Sequence, residues 1–433
     1  MIDSIESFGR YPKVHHKKND YLFWRNENPD FSDENSFLPF GLGKSYGDSC
    51  LNPDNNLISI NYLNKFISFD DKNGILEVES GVTLEQCIAF LIPRGWFLPV
   101  TPGTKLITIG GAIANDVHGK NHHVAGTFGC HIISFELLRS DLSRTYCSRE
   151  QNTELFNATI GGLGLTGIIT KVKFQCTRCN GPMIDSENIK FRSFEEFFEV
   201  NAGSSDYEFT VAWVNTNSDG SGILSRGNFA DANLQPEKYD YVSKSLPFPV
   251  DYDFINPLSV AAFNFLYYTK QLEDRQRLII DYNPFFYPLD AVNGWNKAYG
   301  KRGFLQYQFV IPFENGLENL KSIFKIITAG GNSSFLTVLK TFGGIKSPGM
   351  LSFPKPGITM AIDFKMTGQK ILDILDLSDK IVRDAGGILY PAKDARMSGE
   401  DFRYFYPQWK EFKQYIDPKF SSGFWRRVTG DSK

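Results

Sequence analysis

Residues 99–129 read PVTPGTKLITIGGAIANDVHGKNHHVAGTFG. The stretch holds a proline–glycine turn, the Gly110–Gly111 pair, a short apolar run and three of the six histidines. Its counterpart upstream is PFGLGKSYGDS at residues 39–49. Each glycine-rich turn adjoins apolar, strand-like sequence. Glycine lets a backbone N–H approach an anion with no Cβ in the way. Two such turns predict two backbone clamps on one phosphate-bearing ligand.

Working outward, 433 residues are too many for one core, so two or three domains are expected. The 38 Phe and 19 Tyr fit a large core and a stacking surface for a ring-shaped ligand. A net charge of -3 supplies no basic surface and excludes a nucleic-acid partner. Among the six cysteines only Cys176 and Cys179 form a C-x-x-C, with no second pair at zinc spacing. They read as reduced thiols at a strand end, in a reducing compartment. The first residues, MIDSIESFGRYPKV, lack a basic start followed by an apolar core, so no signal peptide is expected. The apolar patch at residues 258–268 is interrupted by Asn264 and falls short of the ~20 residues a bilayer span needs. The chain reads as cytoplasmic, soluble or peripheral to the inner face of a membrane.

Along the chain, His15 and His16 sit beside lysines in a solvated arm and make a poor metal site. Strands are expected at LISI (57–60) and ILEV (75–78), with DDKNG (70–74) as a turn. TLEQ (83–86) is a capping box that starts a helix ending near Arg94, before Gly95. Strands follow at 132–138 and 144–146, then a short helix, a turn crowded with Gly161, Gly162, Gly164 and Gly167, and a strand at 168–174. This GGLG is no dinucleotide fingerprint, since it lacks G-x-G-x-x-G between a strand and a helix. Beyond residue 180 the pattern is helix at 193–200, strand at 207–214 and a long loop at 227–257. Strands at 304–311, 335–342 and 359–364 alternate with helices at 317–329 and 370–386, and a mostly helical tail closes the chain. That alternation indicates an α+β second domain. Gln306 and Gln308 flank Tyr307 on one strand and therefore share a face.

FGLGKSYGDS (40–49), PGTKLITIGGAIANDVHGKNHH (102–123) and GGLGLTGII (161–169) are similar to the FAD-binding domain of the vanillyl-alcohol-oxidase, or PCMH, type. FFYPLDAVNGWNKAYGKRGFLQYQFVIP (285–312), LSFPKPG (351–357) and YPAKDAR (390–396) extend the likeness over nearly the whole chain. They point to the branch that oxidises polyprenyl-phosphoryl ribose as the flavin subunit of an epimerase in cell-envelope biosynthesis. The resemblance implies a two-domain α+β flavoprotein. Residues 1–180, with 388–433 returning to them, would form the FAD domain. Residues 181–387 would form an antiparallel-sheet substrate domain roofing the flavin.

By the same carry-over, Gly41, Gly43, Lys44, Ser45, Tyr46, Gly47 and Asp48 make one clamp on FAD. Gly103, Thr104, Thr108, Gly110 and Gly111 make the other. Ala114, Asn115, His118, Gly119, Asn121, Ile168 and Tyr390 complete the cofactor's surroundings. Many relatives attach FAD covalently to a histidine where this chain has Lys44, so non-covalent FAD is expected. His118 and Lys393 are the implied catalytic residues. Tyr287, Gln306, Gln308, Lys340 and Lys393 would hold the substrate. His122 and His123 fit a structural or cofactor-shell role, and their loop spacing with His118 offers no fixed metal geometry. Ala361 stands where some relatives carry a cysteine, so a ligand that needs a thiol finds none there.

The implied reaction oxidises a secondary sugar alcohol to a ketone, with hydride passing to the flavin N5 and the hydroxyl proton to His118, Lys393 or a water relay. An NAD(P)H-dependent short-chain reductase would then return the ketone with inverted stereochemistry. Two rival readings are a soluble alditol or aldonolactone oxidase and a catalytically silent flavin- or sugar-binding protein.

Overall fold

The capping box forms as its sequence requires. Thr83 accepts from the Gln86 backbone, Gln86 returns the bond, and helix α1 runs Leu84–Leu91. A 3-10 turn, Ile92–Arg94, extends it to Gly95, whose φ of +73° closes it. The structure is a computed structural model and describes residues 5–231, 244–245 and 255–431.

Three sheets organise the chain. Strands β1 (Lys18–Tyr21), β2 (Phe37–Phe40) and β3 (Asn56–Ser59) form a parallel trio with β3 in the middle. Strands β4 (Phe66–Asp70), β5 (Ile75–Glu79), β6 (Ile132–Leu138), β7 (Arg144–Ser148) and β8 (Ile168–Gln175) form an antiparallel sheet in the order β4-β5-β8-β6-β7. The third sheet has eight strands. They are β9 (Met183–Phe191), β10 (Phe209–Val214), β11 (Gly222–Phe229), β12 (Arg275–Asp281), β13 (Phe304–Ile311), β14 (Thr337–Phe342), β15 (Gly357–Lys365) and β16 (Ile388–Leu389). Their order is β12-β9-β11-β10-β14-β15-β13-β16, with antiparallel pairing throughout. The chain is α+β.

The register of this large sheet decides what its two faces carry. All eight residues of β13 are buried, yet they alternate in chemistry. Tyr307, Phe309 and Ile311 join Leu339, Met360 and Ile362 in the main core. Helices α2 (Ile109–Ala114) and α4 (Pro257–Lys270) lie elsewhere, but α3 (Phe194–Ala202), α5 (Gly316–Thr328) and α6 (Gln369–Asp384) pack into this core through Phe194, Ile323, Phe324, Leu375 and Val382. Each such side chain contributes about 1.5–3 kcal/mol by leaving water. The other face is free to be polar. Gln306 stands opposite Asp363 and Gln308 opposite Ala361, while Lys340 stands opposite Thr359 and Val338 opposite Ala361. Trp213 follows opposite Val338, then Val211 opposite Ser225 and Ser225 opposite Asn188.

Several expectations need correcting. The apolar run beside the Gly110–Gly111 pair is not strand-like; it is helix α2, capped by the Thr108 side chain on the Gly111 N–H at 3.1 Å. Of the loop expected at 227–257, residues 227–229 belong to β11 and Pro257 starts α4, while most of the remainder lies outside the described residues. The strand expected from 335 begins at Thr337. The tail is helical only in short pieces, including Gly399–Phe405 and Gly423–Thr429.

Candidate active site

A cavity of about 530 Å³ lies between the glycine turns and the free face of the large sheet. That is ample for a small-molecule site. Gly41, Gly43, Lys44, Ser45 and Tyr46 line one wall, and Gly103, Thr104, Thr108, Gly110 and Gly111 another. The two turns touch. A Cβ on Gly41 would come within 2.7 Å of Thr108 Oγ1, and Gly43 sits at φ +60°. At Gly103 a Cβ would meet nothing within 4 Å, so its backbone faces open space. Bare backbone on two converging turns, with Lys44 beside them, is a cradle that fits a pyrophosphate.

Ala114, Asn115, His118, Gly119 and Tyr390 continue the lining. The Tyr390 hydroxyl donates to the Asn115 carbonyl at 2.7 Å, and its ring stacks on Phe353 at 4.6 Å. Gln306, Gln308, Lys340 and Lys393 reach the same space from the sheet and from the segment after β16. His118 is their meeting point. Its Nε2 lies 3.0 Å from the Gln308 amide and its Nδ1 3.2 Å from Lys340 Nζ. Burial, then Lys340, hold its pKa well below the usual imidazole value. A neutral imidazole has one donor and one acceptor nitrogen. When charged Lys340 donates to Nδ1, Nε2 carries the proton and Gln308 must present its oxygen. When Lys340 is neutral, the opposite tautomer fits.

The cavity gathers cations. Burial lowers Lys120 to about 7 and Lys340 to about 8. It also lowers Lys393 to about 7, although Asp363 opposes that shift. Lys44 moves in the same direction for the same reason. Asp363 is raised to about 7 by burial; it accepts from Gln306 at 2.6 Å and from the Tyr299 hydroxyl at 3.4 Å. Lysines crowded out of water favour an anionic ligand, which would restore their charge.

Five expected residues do not line this cavity. Gly47 packs against the Asp394 carbonyl, where a Cβ would fall 1.7 Å away. Asp48 is taken up by Arg427. Asn121 donates to the Pro99 carbonyl at 2.9 Å. Ile168 is buried in a small core with Leu138 and Phe420, and its neighbours Gly167 and Ile169 face the cavity instead. Tyr287 is fully buried, its hydroxyl sharing a 2.6 Å hydrogen bond with Thr101 Oγ1. A Tyr287→Phe variant should therefore lose about 1 kcal/mol of stability by thermal melting with its KM for substrate unchanged; a raised KM would return Tyr287 to the substrate. His122 packs on Phe342 at 4.4 Å with neither ring nitrogen bonded, and burial lowers its pKa to about 3. His123 Nε2 lies 3.0 Å from the Tyr207 carbonyl. Both are thus tied to packing.

Sequence reasoning missed Asp363, Thr359 and Lys120. The first two carried a signal: TMAIDF alternates as QYQ does, so Thr359, Ala361 and Asp363 share the glutamines' face. Lys120 was visible only as a neighbour of His118. Its ammonium donates to the Phe285 carbonyl and sits 4.6 Å above the Phe285 ring.

Comparison with known proteins agrees with this geometry. An FAD-binding domain model matches residues 32–141. Over 409 residues the chain is 36% identical to decaprenylphosphoryl-β-D-ribose oxidase of Mycolicibacterium smegmatis, spanning 90% of this chain and 88% of that protein. It is 26% identical over 371 residues to an uncharacterized protein in the mprA 5′ region of Streptomyces coelicolor, spanning 80% of this chain and all of that one (100%). The human Δ(24)-sterol reductase shares 31% identity over 118 residues, 27% of this chain and 23% of the reductase. An FAD-binding module and a relative that matches through both the clamps and the sheet lead to one assignment: the chain is an FAD-dependent oxidoreductase and belongs to the family of decaprenylphosphoryl-β-D-ribose oxidase.

Proposed function

We propose that this enzyme oxidises a secondary hydroxyl of a polyprenyl-phosphoryl pentose to a ketone, as the first half of an epimerisation. The observation that carries the reading is the sheet face itself. It places two amides, Gln306 and Gln308, beside His118, Lys340 and Lys393 in one cavity next to the glycine cradle. FAD, when bound, supplies the acceptor for the carbinol hydrogen. Everything else falls to the protein. The turns at Gly41–Tyr46 and at Gly103–Gly111 hold the pyrophosphate, and domain boundaries near residue 180 and just after β16, whose residues 388 and 389 still pair in the large sheet, separate this cradle from the sheet that roofs it. The amides orient sugar hydroxyls. Lys340 and Lys120, close enough for one to lower the other's pKa, receive the substrate phosphate. Neutral His118 accepts the hydroxyl proton, with Lys393 holding negative charge near the cofactor.

The ketone then needs a hydride donor, and an NAD(P)H-dependent short-chain reductase is the partner this chemistry calls for. Among the described residues no helix is long and apolar enough to cross a membrane. A lipid-linked substrate would be met at the bilayer surface, and in this reading the enzyme works on the cytoplasmic side.

Anaerobic mixing tests the reading. A prenyl-phosphoryl pentose should bleach the bound flavin, and free pentitols or aldonolactones should not. Bleaching by free polyols alone would make the enzyme a soluble alditol oxidase. No bleaching with either would support a silent binding protein. Non-covalent attachment is tested separately: Lys44 offers no histidine to the ring, so denaturation should release all flavin and leave a non-fluorescent protein band. A fluorescent band would mean a covalent link.

A further inference from the structure

Helix α4 is built inside out. Its inward face carries Val260 and Asn264. Asn264 is completely buried, and its amide donates to Thr216 Oγ1, Asn217 Oδ1 and the Ser334 carbonyl at 3.3, 2.8 and 3.1 Å. Its outward face carries Leu258, Phe265 and Leu266, 81%, 65% and 65% exposed, with Leu272 just beyond at 91%. Leu258, Ala262, Phe265 and Leu266 recur at the helical spacing that ordinarily marks a core-facing stripe. Here the stripe faces solvent while an amide is tied into the interior. A contiguous apolar surface of this kind marks a binding face.

The stripe is continuous with the active site. Phe263 and Tyr267 stack on the flank of α4 with ring centroids 5.8 Å apart, and Tyr267 packs on Trp213 at 4.7 Å. Tyr267 and Trp213 both line the cavity, at the end where apolar Val211, Ile280, Leu336 and Val338 are joined by Ser186, Asn188 and Ser225. Along the sheet this end extends four strands, β10, β11, β9 and β12, roughly 19 Å past the strand that carries Lys340. A pentose does not need that length.

Length and charge select the occupant. Fourteen residues of helix make about 21 Å, too short to cross a bilayer and sufficient to lie in its interface. Most charged residues nearby are paired, Arg192 with Glu196 and Asp274, Arg277 with Asp185, and Arg275 with Glu187, while Lys270 in the last turn of α4 and Glu273 just beyond it carry opposite charges and add no net basic patch. Attraction to the surface would therefore come from apolar insertion. We infer that α4 docks on the lipid bilayer through Leu258, Phe265, Leu266 and Leu272, and that the cavity opens beside Tyr267 onto that surface. Resting on the lipid-linked substrate proposed above, this lets the polyprenyl tail stay in lipid while its phosphoryl sugar reaches His118.

The test is flotation of the FAD-loaded enzyme with phosphatidylcholine vesicles, with and without phosphatidylglycerol, at low and high salt. The wild type should float with both, at both salt concentrations. Phe265→Asp/Leu266→Asp should weaken binding at least about tenfold at an unchanged melting temperature. A Phe265→Trp probe should be quenched by brominated lipid. Binding that requires the anionic lipid and vanishes in salt overturns apolar insertion. A wild type that ignores vesicles, or dimerises through this face and becomes monomeric in the double variant, overturns the bilayer as occupant. Bleaching by a short-chain, water-soluble prenyl-phosphoryl pentose without vesicles is measured alongside. It reports on the substrate class independently of α4, and the double variant should retain it.

Discussion

Lys393→Met is expected to slow anaerobic bleaching of the bound flavin about 10²- to 10³-fold, the loss that follows removal of one preorganised charge-stabilising group. Lys393 Nζ sits 3.8 Å above the Tyr46 ring, over the first glycine turn. Its backbone N–H donates to the Tyr390 carbonyl at 3.0 Å, which fixes where the side chain starts, and the Tyr46 ring receives the ammonium at its end. Methionine keeps the volume and removes the charge. FAD should stay bound, since the cradle is made by other residues, and an equilibrium titration should show this.

The pH dependence gives the same prediction a sign. Burial lowers the Lys393 pKa to about 7, Asp363 pulls it up and Lys340 pushes it down. If the charged form works, bleaching slows as pH rises through about 7, where the ammonium loses its proton. Asp363→Asn removes the group that favours the charge. The falling limb should then move to lower pH, with the deficit largest above neutrality and small below it. A loss of equal size at every pH would mean that Asp363 acts through packing alone.

How much of this was legible beforehand differs from residue to residue. The two converging turns were readable because glycine carries a backbone message that survives any tertiary context: Gly43 needs φ +60°, and Gly41 has no room for a Cβ beside Thr108. The pairing of Gln306 with Gln308 was readable because strand alternation is strict. Strands β9 and β12 were not. MIDSENIKF is polar at Ser186 and Asn188 because those positions face a cavity, and RQRLIID forms an edge, so neither shows a clear apolar alternation. Tyr287 falls outside the cavity lining, because family likeness places a residue in a neighbourhood without saying where its hydroxyl points. Asp48 falls outside the lining for a related reason. A carboxylate after a glycine turn reads as part of the clamp, yet its partner is 379 positions away in sequence.

That partner supports the second large effect. Arg427→Leu should destabilise the protein by about 3–5 kcal/mol, the cost of stripping the cation from a buried ionic cluster. Arg427 Nε and Nη2 donate to the two oxygens of Asp48 at 2.9 and 2.7 Å, and Nη2 also donates to Asp394 at 2.8 Å. Both carboxylates are buried, so leucine would leave two anions facing each other with only the electrostatic help of Arg426 on Asp48 and of Arg396 on Asp394. The position matters as much as the energy. Asp48 ends the first glycine turn, Asp394 follows Lys393, and Arg427 lies in the closing helix Gly423–Thr429. Gly47 lets the turn approach so closely that a Cβ would reach the Asp394 carbonyl. One guanidinium thus holds the cradle, the cationic side chain and the C-terminal segment in register. Arg427→Leu should lower the melting temperature and also weaken FAD retention and slow bleaching, three losses that move together. Arg427→Lys keeps the charge but cannot span both oxygens of Asp48 while reaching Asp394. It should fall between the two. A lysine variant as defective as leucine would assign the effect to the fork's geometry, and a leucine variant with a wild-type melting temperature would show that solvent relieves the two carboxylates.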